Sequence, residues 1–213
     1  PYGYIVRQDW MEKLSINEPT TIEDWYDMLV KFKNSDPNGN SQADEVPFTC
    51  QNTSALLRFG NAWGLCLATG GFHVDENGKA QFGYLLPEAK EVLTWLNKLF
   101  NEGLIDPDFP QMNTDQLHTR VTSNQVGATI NFLNNLDSYT KAMRAKVPDV
   151  KWTMVIPPKG PTGHAHMEKY GPIARYYDII SSFYYGLFHS ISAFNNSGFH
   201  VVAGSKGLSQ FVQ

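Results

Sequence analysis

Between residues 36 and 45 the chain reads Asp36-Pro37-Asn38-Gly39-Asn40-Ser41-Gln42-Ala43-Asp44-Glu45, with oxygen-bearing side chains on alternate positions. A hard cation such as Ca2+ gathers about six to eight oxygens at roughly 2.3 to 2.6 Å, and a loop supplies them when every second residue points inward. Asp36, Asn38 and Asn40 do this, Gln42 offers a carbonyl, Asp44 or Glu45 closes the set, and Gly39 permits the tight turn. The pattern is not a whole EF-hand: Gly39 follows the second ligand rather than the third, and Pro47 stands where a bidentate Glu would be. Asp, Asn and Gly also favour turns unaided, so a metal-free Asx-turn loop is the competing reading. The spacing favours a structural calcium ion.

Other chemistry is poorly supplied. His73, His118, His164, His166, His189 and His200 are scattered; the close pair His164-Ala165-His166 lies in a Gly/Pro loop without the helical spacing of a metalloprotease. No G-x-S-x-G elbow or phosphate-cradling glycine motif occurs, and neither cysteine has a catalytic setting. Asp106 and Asp108 offer a carboxylate pair for glycoside hydrolysis, but a Pro-bounded D-x-D more often makes a turn. The reading is therefore of a protein that is not an enzyme. A net charge of -4 without a Lys/Arg cluster excludes a nucleic-acid face. Cys50 and Cys66 cannot form a disulfide framework and either pair with each other or sit as small hydrophobes.

The elements that must hold the acidic loop follow from periodicity. A 42% hydrophobic content over 213 residues is enough for one sizeable core. The chain opens on Pro1-Tyr2-Gly3-Tyr4-Ile5-Val6, which reads as a strand already under way and suggests a fragment. A short helix with Trp10, Met11 and Leu14 on one face comes next. Thr21 with Asp24 three residues on predicts a capped helix, with Ile22, Trp25, Met28, Leu29 and Phe32 at helical spacing. After the loop come a strand over 46–49, a buried helix over 54–67, and a hairpin around Asp75-Glu76-Asn77-Gly78. Pro87 starts a helix whose stripe is Ala89, Val92, Leu93, Leu96, Leu99 and Phe100, ending at Gly103. A helix over 114–123, a strand over 125–132, a helix over 137–145 and a strand over 150–156 complete an α/β pattern.

Taken in order, these phrases resemble the extracellular solute-binding proteins of ABC importers, in the sugar-binding branch. The resemblance is carried by Arg7-Gln8-Asp9-Trp10-Met11-Glu12-Lys13-Leu14, by Pro19-Thr20-Thr21-Ile22-Glu23-Asp24-Trp25, and by the acidic loop with Val46-Pro47-Phe48, which resembles the calcium loop of lipoprotein and alginate-binding members. Asn101-Glu102-Gly103-Leu104-Ile105-Asp106-Pro107-Asp108, Val126-Gly127-Ala128 and Pro157-Pro158-Lys159-Gly160-Pro161 follow in the same order. It covers residues 1–165 and implies a periplasmic-binding-protein-like fold, this chain supplying mostly the second lobe of a two-lobed clamp. It further implies an oligosaccharide as solute, a membrane permease as partner, and a cell-surface lipoprotein in the full-length form. By the same analogy Gln51, Asn52, Asn131, Phe132 and Asn134 face the solute. Trp63 is a candidate aromatic plate, although a tryptophan in an apolar helix is more often core, and Gln51 and Asn52 serve equally well as helix caps.

From about residue 170 the likeness fails. The stretch 179–194 is aromatic and almost uncharged, and 187–199 resembles a pore loop of Trk/Ktr-type potassium transporters, with Gly198 in the filter position. A single such loop cannot conduct, and the segment is too short and too interrupted to span a bilayer. Residues 166–213 therefore read as a tail of separate origin, or alternatively as a buried helix of the lobe.

Overall fold

The computed structural model describes residues 2–165 apart from 69 and 75–78. The readings placed on 166–213, including the pore-loop resemblance, and on the hairpin tip lie outside the described residues.

Strand β1 (Tyr2–Arg7) runs directly into helix α1 (Gln8–Lys13). Helix α2 (Ile22–Asn34) begins at a reciprocal capping box: the Asp24 backbone N–H donates to the Thr21 hydroxyl at 3.0 Å, and the Thr21 N–H donates to the Asp24 carboxylate at 2.9 Å. Two of the helix's four unsatisfied N–H groups would otherwise need water. Its apolar stripe, Ile22, Trp25, Met28, Leu29 and Phe32, is buried as the periodicity requires. The acidic loop leads into β2 (Val46–Thr49).

The predicted helix over 54–67 is not continuous. Four α-helical residues, α3 (Thr53–Leu56), tighten into a 3-10 stretch over Leu57–Trp63 that ends at Gly64 with φ +77°. Side chains on every face of this stretch are buried, Gly60 lies against Leu67 and the Leu65 carbonyl, and the Leu65 N–H donates to the Gly60 carbonyl. A regular α-helix would project bulk where the chain instead folds back on itself, so tertiary packing overrode the periodicity. Short strands β3 (Phe72–Val74) and β4 (Ala80–Phe82) pair antiparallel as the predicted hairpin.

Helix α4 (Pro87–Asn101) carries Pro87 in its first turn and buries Ala89, Val92, Leu96 and Leu99. Leu93 and Phe100, expected in that stripe, are about half exposed at 49% and 44%. Helix α5 (Thr114–Val121), strand β5 (Val126–Phe132), helix α6 (Asn135–Met143) and strand β6 (Trp152–Val155) follow.

The main sheet has the order β2-β5-β1-β6, with β1 antiparallel to both neighbours and β2 parallel to β5. Alternation along β1 sends Tyr4 and Val6 into a core shared with α2, α4 and the 3-10 stretch, and Ile5 into a second core with Leu117, Val121, Tyr139 and Trp152 from the α5/α6 side. Gly127 has no side chain because a Cβ there would stand 2.4 Å from the Phe32 ring. Helices on both faces of a mixed sheet make this an α/β lobe.

Hydrogen bonds from Thr20 and Thr21 hold the Asp24 carboxyl below its ordinary pKa. A depressed carboxylate contributes stability that is present above its unfolded pKa and lost as pH falls through the folded value. Thr21→Ala should cost about 1 kcal/mol. Asp24→Asn should lower the melting temperature near neutral pH yet converge with the parent as both are taken down through and below the ordinary carboxylate range, measured by thermal melts across acid pH.

Candidate functional site

The candidate residues divide between the two ends of the sheet. At the amino ends of the parallel pair lies the acidic loop, since the Val46 N–H donates to the Gln125 carbonyl just before β5. At the carboxyl ends lie Gln51, Asn131 and Phe132, beside Tyr2 at the start of β1, whose register partner is Phe132.

In the loop, Asp36, Gly39 and Ser41 adopt positive φ (47°, 74° and 61°), which curls the backbone around the Asp36 carboxylate. One Asp36 oxygen accepts from the N–H groups of Gly39 and Asn40, the other from Ser41. Asn38 and Asn40 donate their amide N–H groups to Asp44, and Asn40 accepts from the Gln42 backbone. Gln42 itself is exposed. Gln125, which the loop pattern does not reveal, donates to Asp44 at 2.7 Å and ties the loop to β5; this bond is the largest of those holding the Asp44 carboxyl below its usual range.

Glu45 behaves in the opposite way. Its Oε1 is buried without a hydrogen-bond partner, and burial, followed by the nearby Asp36 and Asp44 charges, raises its pKa. An orphaned carboxylate oxygen beside two other carboxylates fits a cation, which would supply the missing partner and neutralise the repulsion. Among the described residues no cluster of three or more acidic, imidazole or thiol groups stands at metal spacing, so closing the set requires the Asn38 and Asn40 amides to turn their oxygens inward.

At the other end, Tyr2 stacks on Phe132 with ring centroids 4.1 Å apart and planes at 31°, and the Arg58 guanidinium lies 3.8 Å from the Tyr2 centroid. Phe132 remains 43% exposed. Gly3, the strand partner of Asn131, leaves room for Leu133, whose Cδ2 would be 2.2 Å from a Cβ at that position. Gln51 donates to the Thr114 hydroxyl at 2.9 Å, Asn52 caps α3 by accepting from Ala55 at 2.9 Å, and Asn134 is exposed. Asn131 is 8% exposed and donates to the buried Tyr139 hydroxyl at 2.7 Å, so its amide braces the strand end from within. Trp63 belongs to the core: it is 5% exposed, donates its indole N–H to Glu91 and packs against Trp95. Tyr2 and Arg58 were not legible as site residues, because only strand pairing brings residue 2 beside residue 132.

The remaining candidates have structural employment. Asp106 is buried, accepts from Thr49 and Arg120, and shares the Arg120 guanidinium with Asp108. A carboxylate pair clasped on one guanidinium fixes the connection between α4 and α5. Cys50 is a buried free thiol, and burial pushes its pKa up to about 12.

The fold is that of the periplasmic-binding-protein-like solute-binding proteins. Residues 1–189 match the family of bacterial extracellular solute-binding proteins, and the chain belongs to that family. It is 28% identical over 142 residues to lipoprotein LipO of Bacillus subtilis (strain 168), a match covering 65% of this chain and 28% of LipO. It is 33% identical over 106 residues to the fructooligosaccharide ABC transporter substrate-binding protein FusA of Streptococcus pneumoniae serotype 4, covering 48% of this chain and 20% of FusA. A solved structure of a FusA EF-hand mutant with fructo-nystose superposes with a TM-score of 0.64 at 22% identity, covering 78% of this chain and 33% of that one. The alginate-binding protein AlgQ2, solved without calcium ion, superposes with a TM-score of 0.69 at 25% identity, covering 78% and 34%. The chain thus spans about a third or less of the length of these relatives.

The Glu45 geometry yields a test with two opposed signs. A raised carboxylate pKa means that the charged form weakens the fold above the unfolded pKa, and the penalty disappears as pH falls below it. In chelator, Glu45→Gln should therefore melt at or above the parent near neutral pH. With millimolar calcium the parent should gain several degrees and the variant little, as read by paired thermal melts. Equal gains in both would remove Glu45 from the ligand set.

Proposed function

We propose that this chain is the second lobe of a two-lobed solute-binding protein that captures an oligosaccharide in the cleft between lobes and presents it to the permease of an ABC importer. The observation that carries the reading is the half-exposed Phe132 stacked on Tyr2 at the carboxyl ends of the strands, with Gln51 and Asn52 following the end of β2 and Asn134 the end of β5. Open α/β sheets bind ligands at those ends. An aromatic face takes the apolar C–H face of a sugar ring, while amides answer its hydroxyls.

In this reading the platform adds no chemistry: binding is the whole activity. Solute bridging two lobes favours the closed arrangement by its differential affinity for it, and the permease reads the closed form. The acidic loop sits at the opposite end of the sheet, so its Ca2+, held by Asp36, Asn38, Asn40, Gln42, Asp44 and Glu45, is a structural staple rather than part of the cleft. The names FusA and LipO support a sugar as the solute and a lipid-anchored, extracellular full-length protein.

The test is a glycan-array screen of the full-length protein, followed by calorimetry on retained glycans and chromatography of the recovered sugar. Expected are retention without cleavage and, for Phe132→Ala, a Kd raised about tenfold at unchanged melting temperature. Cleavage products, or unaltered affinity in the Phe132→Ala variant, would overturn the reading.

A further inference from the structure

A second feature lies on the flank of the lobe. A groove of about 730 Å3 follows helix α5, with Gln111, Asn113 and Gln116 at one end, Ser123 and Gln125 at the other, and Asp115 exposed on its rim. The volume is in the range of small-molecule sites. Its starting end adjoins the candidate cleft, because Thr114, between the lining residues Asn113 and Asp115, accepts the hydrogen bond from Gln51. Helix α5 rises about 12 Å over its eight residues, long enough for more than one sugar ring.

The lining is organised to hydrogen-bond hydroxyls. Asn113 and Gln116 form a reciprocal capping box in which the Asn113 side-chain oxygen accepts from the Gln116 N–H and the Gln116 side-chain oxygen accepts from the Asn113 N–H, each at 2.8 Å. Both amide planes are therefore fixed before any ligand arrives, and both NH2 groups are held ready as donors. Gln111 adds an exposed amide and Asp115 an exposed acceptor. The groove's guanidinium, Arg120, is already shared between Asp106 and Asp108, so carboxylate outweighs cation along the lining. An anionic chain meets like charge there, whereas a neutral polyhydroxyl chain meets donors and acceptors.

We propose that this groove takes the continuation of a neutral oligosaccharide whose first rings occupy the cleft, so that the protein selects uncharged glycan chains over uronate chains and gains affinity with length. The proposal rests on the cleft reading above. Gln116→Glu probes it without dismantling α5: the side chain keeps an oxygen for the Asn113 N–H but replaces the NH2 donor by a carboxylate oxygen.

The experiment is calorimetry of the full-length protein with inulin-type fructo-oligosaccharides of increasing length from kestose upward, with matched oligogalacturonates, and with Gln116→Glu and Gln111→Ala. Expected is an affinity that rises with fructan length, no comparable rise for the uronates, and loss of the gain in the variants by about three- to tenfold per lost hydrogen bond, with the shortest binding member unaffected. Length-independent binding, a gain retained in both variants, or a steeper rise for the uronates would overturn the groove while leaving the cleft reading intact. Absence of binding by every member of both series would overturn the neutral-chain proposal for this probe class, and a glycan array empty as well would take the cleft reading with it.

Discussion

The antiparallel insertion of β1 between β5 and β6 is the constraint on which the lobe depends. Residues 2–7 find partners more than a hundred positions later in the chain, Tyr2 to Val6 against Phe132 to Ala128 on one side and Tyr4 to Arg7 against Val155 to Trp152 on the other. Such contacts carry the full entropic cost of closing long loops, and burial on both faces of β1 is what offsets it. At its far end Arg7 is 1% exposed and therefore cannot stand alone. It pairs with Asp9 at 2.7 Å, donates to Asn124 at 2.9 Å and lies over Trp10 and Trp152, which fastens the end of β1 to α1, to the turn before β5 and to β6.

From that pairing the two functional ends follow. With β1 fixed, Tyr2 falls opposite Phe132, and the aromatic pair is made by register rather than by any local motif. The parallel β2 lies on the other side of β5, so the loop ahead of β2 is brought to the turn ahead of β5, where Gln125 reaches Asp44. The acidic loop and the Tyr2–Phe132 pair thus sit at opposite ends of one sheet. The Gln125–Asp44 hydrogen bond ties the loop ahead of β2 to the turn ahead of β5, and Thr49 closes β2 at the other end of the strand.

Polar groups inside the lobe hold its elements in place. Asp106, with Thr49, Arg120 and Asp108, locks the crossover between α4 and α5. Asn131 and Tyr139 brace the end of β5 from the α6 side. Each places a solvent-facing neighbour, and the same network orders α5, along which the flank groove runs. Buried side-chain networks of this kind specify one arrangement of the core at the expense of tolerating substitution.

What the sequence by itself determined was local. The α2 capping box at Thr21 and Asp24, the proline start of α4 and the calcium-type spacing from Asp36 to Asp44 all rest on interactions within a few residues, and short-range geometry is written in short-range pattern. Six phrases in order were also enough to point to the family. Tertiary structure alone decided the rest. It broke the expected helix over 54–67 into a 3-10 stretch because its side chains had to be buried on all faces, left Leu93 and Phe100 half exposed, and sent Trp63 into the core against Trp95 and Glu91. It also recruited Tyr2, Arg58 and Gln125, residues with no local signature, because their roles are set by strand register across more than fifty residues of intervening chain and not by what stands beside them.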